Sequence, residues 1–307
     1  MLGKGRDKKV LKNKTKEGKE EKEANKEGKE SKDLKDKKIE RQKLDIPKFA
    51  VITPEFSSKK ALCSFCGRES IASSGTWICE HCECVNEPST AVFGSNPSLK
   101  EIQSKLDTYK LDEFSQALAS YEAFAKGAQD NRFAYVVGFL YMRLSDFYLS
   151  NLSYNRKDFM YENTLLRRNA AKAESKAKLF LFKASKPGTT PESIFTSFMA
   201  LLKLGRLRDA SSMLAELNAL NNKESMPLAD YASMLFSIEN GAYADAMQSI
   251  NKLIKENLFI ENVAYYQAFI LYKVKRYRES MSILEKLLKV GFSNKNLSDL
   301  ILLISKK

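Results

Sequence analysis

Tyr243-Ala244-Asp245-Ala246-Met247-Gln248-Ser249-Ile250-Asn251-Lys252-Leu253 carries large apolar side chains at 243, 250 and 253 and a small one at 246. Spacings of three and four put these on one face of an α-helix, with the small residue where a second helix can cross closely. The phrase recurs. Leu207-x2-Ala210-x3-Leu214-x2-Leu217 lies 36 residues before it, and Tyr277-x2-Ser280-x3-Leu284-x2-Leu287 lies 34 residues after it. Phe114-x2-Ala117-x3-Tyr121-x2-Phe124 is an earlier echo. The copies at 207, 243 and 277 each follow a segment ending in a turn: Leu204-Gly205-Arg206, Glu239-Asn240-Gly241 and Lys273-Val274-Lys275-Arg276. Helix pairs stacked at a fixed period are the expectation for residues 98–307.

As a set these phrases resemble tetratricopeptide repeats. The resemblance implies a mostly α, tetratricopeptide-like helical repeat solenoid with a concave groove for a peptide or helix of a partner. Some positions depart from it. Ile194, Asp230 and Ala264 stand where the first helix would carry Trp, the terminal Pro is absent, and Ser280 replaces the small Ala. A further unit is expected from Ala134, with Gly138 at its crossing and Phe147 in the aromatic position. Ahead of it, helices are expected over Leu99–Tyr109 and from Asp112 to about Lys126, the second carrying Phe114, Ala117, Leu118, Tyr121 and Phe124 on one face and stopped by Gly127. An inserted Ala- and Lys-rich helix is expected over about 157–185, closed by Pro187-Gly188-Thr189-Thr190-Pro191. It is open whether that helix projects, caps the array or divides it. The aromatic group Tyr265, Tyr266, Phe269, Tyr272, Tyr277 and Phe292 reads as core packing. Lys273, Lys275, Arg276 and Arg278, like Arg167, Arg168, Lys172, Lys176 and Lys178, read as solvated basic faces.

All five cysteines lie between Cys63 and Cys84. Cys63-x2-Cys66 and Cys79-x2-Cys82, twelve residues apart, have metal-ligand spacing, and tight knuckles turn both thiolates of each pair inward. Such local clustering favours a metal in a reducing compartment over a disulfide framework. One structural Zn2+ held by Cys63, Cys66, Cys79 and Cys82 is the simplest assignment for residues 61–88. Sets using Cys84 or His81 are sterically conceivable. Cys84 otherwise reads as a buried small residue or a surface thiol, and His81, the only histidine, as an exposed knuckle residue or an orienter of a sulfur. Gly67 supplies the freedom a knuckle needs where φ is positive. Trp77 covers one side of a module too small for its own core.

This module resembles a small β-type zinc ribbon. Trp77-x-Cys79-x2-Cys82-x3-Asn86 is similar to the pattern in Ran-binding-protein-type zinc fingers and in the ribbons of vesicle-coat proteins. Here it follows a CxxCG knuckle, an order unlike that of the Ran-binding-protein type. Ribbons of this kind read RNA, read ubiquitin or serve as staples. Around this one, Lys59, Lys60 and Arg68 face Glu69, Glu80, Glu83 and Glu87, a near-neutral surface that counts against nucleic acid.

Residues 1–45 carry fifteen Lys and two Arg against four Asp and seven Glu, part of a formal net charge of +13. Almost without apolar residues, and with Lys-Glu-Gly-Lys-Glu repeated at 16–20 and 26–30, they read as a disordered, solubilising tail. Residues 46–60, with Pro47, Pro54 and interspersed Phe and Ile, read as an extended strap on the folded part or a linear motif for a partner. Residues 89–97 read as a linker. No signal-peptide apolar region follows Met1 and no run is long enough to span a membrane. The expectation is therefore a cytoplasmic protein. No nucleotide-binding, metalloprotease or nucleophile-elbow motif occurs, and four thiolates leave zinc no open position, so no enzyme is expected. A scaffold or adaptor, binding a protein partner or a further copy of itself through its helices, is the leading expectation. An RNA- or ribosome-associated binder using the basic tail and helical patches is the alternative.

Overall fold

The computed structural model describes residues 51–52, 54–56, 59–72, 75–87, 110–152, 160–292 and 295–307. The tail over 1–45, the strap up to residue 50, the linker and the helix expected over Leu99–Tyr109 lie outside these residues. Among those described, the protein is mostly α, with two small antiparallel hairpins ahead of ten helices.

The hairpins are β1 (Lys60–Leu62) with β2 (Glu69–Ile71) and β3 (Trp77–Ile78) with β4 (Val85–Asn86). Lys60 pairs with Ile71 and Leu62 with Glu69, while Trp77 pairs with Asn86 and Ile78 with Val85. Each hairpin turns around one CxxC pair, so the strands serve to aim the knuckles.

The helices are α1 (Leu111–Ala125), α2 (Asn131–Ser150), α3 (Met160–Ala184), α4 (Pro191–Lys203), α5 (Leu207–Leu220), α6 (Ser225–Glu239), α7 (Tyr243–Lys255), α8 (Ile260–Lys273), α9 (Tyr277–Lys289) and α10 (Lys295–Ser305). Side-chain caps mark two of their starts. The Asp130 carboxylate accepts from Arg132 N at the head of α2. Thr190 Oγ1 accepts from Ser193 N at the head of α4, where Pro191 occupies the first turn. Both arrangements satisfy or avoid an unpaired helix N–H.

Sequence neighbours pack as pairs: α4 on α5, α6 on α7, α8 on α9, with α5 on α6 and α7 on α8 joining them. The turns inside these pairs repeat in backbone detail. Gly205, Gly241 and Lys275 all take positive φ, at 70°, 72° and 65°, and are 36 and 34 residues apart. The next residue's N–H bonds back to Leu201, Ser237 and Leu271 O respectively, a Schellman closure each time. Between pairs, Asn221, Asn257 and Gly291 show positive φ at the same two intervals. Ala210, Ala246 and Ser280 are fully buried at the crossings. Ser280 keeps its hydroxyl satisfied by donating to Ala268 O at 2.7 Å.

The long helix α3 neither projects nor divides the chain. Gly138 of α2 meets Leu181, Tyr141 stacks on Phe180, and Ser145 Oγ donates to Ala170 O, an order that runs α3 antiparallel to α2. A Cβ at Gly138 would lie 2.8 Å from Leu181 Cγ and 3.1 Å from Leu181 N, so the crossing admits only glycine without movement. Asn131 Nδ2 then ties three helices, donating to Ala184 O and Ser193 O at 3.1 and 3.0 Å. Phe124, on the same face as Phe114 and Tyr121, sits at its edge, 36% exposed, with its ring edge-on to Phe133.

Candidate metal centre

Cys63, Cys66, Cys79 and Cys82 are all buried, and their sulfurs lie within 4.8 Å of one another. Cys63 and Cys82 Sγ are 3.6 Å apart, as are Cys66 and Cys79 Sγ. A disulfide needs about 2.0 Å. Four sulfurs about 2.3 Å from a tetrahedral zinc stand about 3.8 Å apart, so the spacing suits a metal.

The two knuckles are built alike. In the first, Phe65 N–H points at Cys63 Sγ (3.5 Å), Gly67 N bonds Cys63 O (2.9 Å) and Cys63 N bonds Arg68 O (2.9 Å). In the second, His81 N–H points at Cys79 Sγ (3.4 Å), Glu83 N bonds Cys79 O (2.8 Å) and Cys79 N bonds Cys84 O (3.0 Å). Each turn needs a left-handed residue straight after its second cysteine. Gly67 fills that place at φ 69° and Glu83 at φ 61°. Glycine does so freely, whereas a residue with a Cβ gives up about 1 kcal/mol.

Asn86 locks the halves together. Its Oδ1 accepts from Ser64 N (2.8 Å), and its Nδ2 donates to Cys63 Sγ (3.4 Å) and Cys84 O (3.0 Å). The place of Asn86 in the Trp77-to-Asn86 pattern thus acquires a physical reason. It supplies the first knuckle with an acceptor and a thiolate with a donor. On the second knuckle the buried Glu80 carboxylate accepts from Ile71 N (3.4 Å), while Glu80 N donates to Ser70 Oγ (3.2 Å). His81 is not exposed. Its side chain is 15% accessible and Nε2 stands 2.9 Å from Glu69 O. Cys84 is buried outside the four-sulfur group, its Sγ 3.8 Å from Arg132 O, and burial pushes its thiol upward.

The protonation chemistry fits a cation. Hydrogen bonding with Cys63 raises Cys66, and burial raises Cys79 and Cys82, all well above the ordinary thiol range. Burial also opposes ionisation of Cys63, yet bonds from the other three sulfurs bring it well below that range. The set thus favours one thiolate on its own, and a divalent cation at its centre supplies the charge that lets the rest ionise.

This centre is continuous with the helices. Tyr121 OH donates to Phe65 O at 2.5 Å, and the Phe65 ring stands edge-on to Phe133 at 5.2 Å with the Arg132 guanidinium 4.6 Å from its centroid. Arg132 Nη1 donates to Val85 O and pairs with Glu87, both about the length of ordinary hydrogen bonds at 3.3 and 3.0 Å. Glu83 accepts from Tyr135 OH (3.0 Å) and from Lys203 (2.8 Å). Asn262 Nδ2 donates to Ile78 O, and Gln267 Nε2 to Ile52 O in the strap. The cysteines share one core with residues of α1 to α8, whereas Ile71, Val51 and Phe56 pack into the cluster of α8 to α10. The hairpins therefore lie against the face that includes α2, α4 and α8, each the first helix of its pair. Residue spacing identified the four cysteines. It could not identify Tyr121, Arg132, Tyr135, Lys203 or Asn262, which come from segments whose periodicity reports only their own helices. Comparison with protein-family models, with curated proteins and with solved structures returned no match for this chain.

Proposed function

We propose that this protein is a non-enzymatic scaffold or adaptor: a tetratricopeptide-like array of helix pairs, stapled by one Zn2+ on Cys63, Cys66, Cys79 and Cys82, that binds a protein partner. The observation that carries the structural part is the four-thiol cluster, buried in a core it shares with the helices α1 to α8. Four thiolates complete the tetrahedral preference of zinc, and with no position left for water the metal acts as a staple. The adaptor part is supported by helix pairs repeating at 36 and 34 residues, an architecture whose exposed faces commonly serve binding. Because the hairpins lie against the α2, α4 and α8 face, the partner meets another surface of the array. A reducing compartment such as the cytoplasm suits free thiols. Affinity purification of the tagged chain from its own cells, washed at rising salt with and without nuclease, tests the reading. A protein partner that survives both treatments is expected. Recovery of RNA or ribosomes, lost on deleting residues 1–45 and falling steeply with salt, would overturn it in favour of nucleic-acid binding.

A further inference from the structure

The helix α3 presents two different faces. Ala173, Ala177, Phe180, Leu181 and Ala184 are buried on the side that meets α2. On the opposite side Leu165, Arg168, Lys172, Leu179 and Phe182 follow one another at helical spacing, with Leu165 46% and both Leu179 and Phe182 52% exposed. No acidic residue shares that side: Glu162 and Glu174 fall more than a quarter turn from its centre. Lys176, toward the edge of this side, is paired with Glu122, and Lys178 with Glu174. Arg168 and Lys172 form no ion pair among the described residues.

From Leu165 to Phe182 the row covers about 26 Å of helix. Its order matters. Arg168 and Lys172 stand between the apolar ends instead of flanking a continuous apolar stripe, and Lys183, five turns on from Leu165, adds a cation beside Phe182 with its Nζ over the Phe180 ring. A membrane-surface helix needs that stripe, so that its apolar side can sink about 5–10 Å into the headgroup and acyl boundary. Here such insertion would carry Arg168 and Lys172 in with it. A nucleic-acid surface would set aliphatic side chains against phosphates and offers one exposed ring for stacking, where sequence-tolerant binders use several. The complement of the row is a helix with carboxylates in its middle and apolar side chains at its ends.

Resting on the adaptor reading, we propose that this side of α3 docks an acidic amphipathic helical segment of a protein partner. The partner's carboxylates meet Arg168 and Lys172. Its apolar residues meet Leu165 at one end and Leu179 with Phe182 at the other. Charge complementarity sets orientation and on-rate, while the exposed apolar side chains supply the area that leaves water.

The test uses the full chain and a synthetic helical peptide of about 18 residues with central Glu and terminal Leu, read by fluorescence anisotropy. Controls are polyglutamate, a neutral Leu-ended peptide, vesicles rich in phosphatidylserine and oligo(U) RNA. The designed peptide should bind in the range of about 1–100 μM. Both R168E/K172E and L179S/F182S should weaken it by about tenfold or more while leaving the melting temperature unchanged, since all four side chains are exposed. Equal binding of polyglutamate, or vesicle or RNA binding that these variants abolish, would overturn the proposal. Capture of a protein partner from extract that survives both double variants would also overturn it, while leaving the adaptor reading intact. Absence of any protein partner for the parent chain would remove both.

Discussion

Asn86 makes a sharp test at the scale of single residues because its amide does two jobs at once. Asn86→Ala removes the acceptor for Ser64 N and the donor to Cys63 Sγ, and should lower metal affinity by about 10–100-fold, the usual cost of losing a partner of a ligand. Competition against a chromophoric chelator measures it. Asn86→Asp should be worse, since it places a negative charge beside thiolates. Gly138 tests packing in the opposite sense to propensity. Alanine favours a helix by about 1 kcal/mol, yet its Cβ would collide with Leu181, so Gly138→Ala should destabilise by about 1–3 kcal/mol in urea unfolding. Glu83 isolates backbone strain. Glu83→Ala and Glu83→Gly both lose Tyr135 and Lys203, but only glycine relieves the positive φ, so the Gly variant should be the more stable by about 1 kcal/mol.

Elements show where the sequence was readable and where it stopped. The helices from Leu207 onward were legible because their apolar period, small crossing residue and turn glycines are all local signals. The disposition of α3 was not, since the Gly138–Leu181 approach joins residues on different helices. Phe124 illustrates the limit of a periodic reading: it lies on the apolar stripe of α1, but at its margin, where Phe133 covers only one side. The four cysteines were legible from spacing alone, whereas their docking surface depends on which helices happen to face the hairpins. One polar contact between elements also sets a pH dependence. Burial tends to raise Glu122, but hydrogen bonds from Tyr141 and Lys176 outweigh it and hold the carboxyl below its ordinary range. A carboxylate lowered in the folded state adds stability above its unfolded pKa, and that stability is lost as pH falls through the folded value. Glu122→Gln should therefore destabilise at neutral pH and narrow its gap from the parent as the pH is lowered into the acid range. Urea midpoints across that range read the gap, and a gap that widens on acidification would contradict the assignment.

At the largest scale, the four-cysteine cluster and the helices share one hydrophobic core. A free-standing ribbon would lose its fold with its metal and leave the helices untouched. Here Phe65 is buried against Phe133, Tyr121 donates to its carbonyl, and Glu83 and Ile78 are held by α2, α4 and α8. On the proposed zinc reading, metal binding contributes folding free energy to the helical array as well as to the hairpins. No helix among the described residues is long and apolar enough to cross a membrane. The most direct test joins metal analysis of the purified protein to its thermal unfolding, followed by helical circular dichroism before and after chelation and in Cys79→Ser. One zinc per chain is expected, with a single transition that moves to markedly lower temperature when the metal or the thiol is removed. No bound zinc, or a helical transition indifferent to its loss, would contradict that expectation.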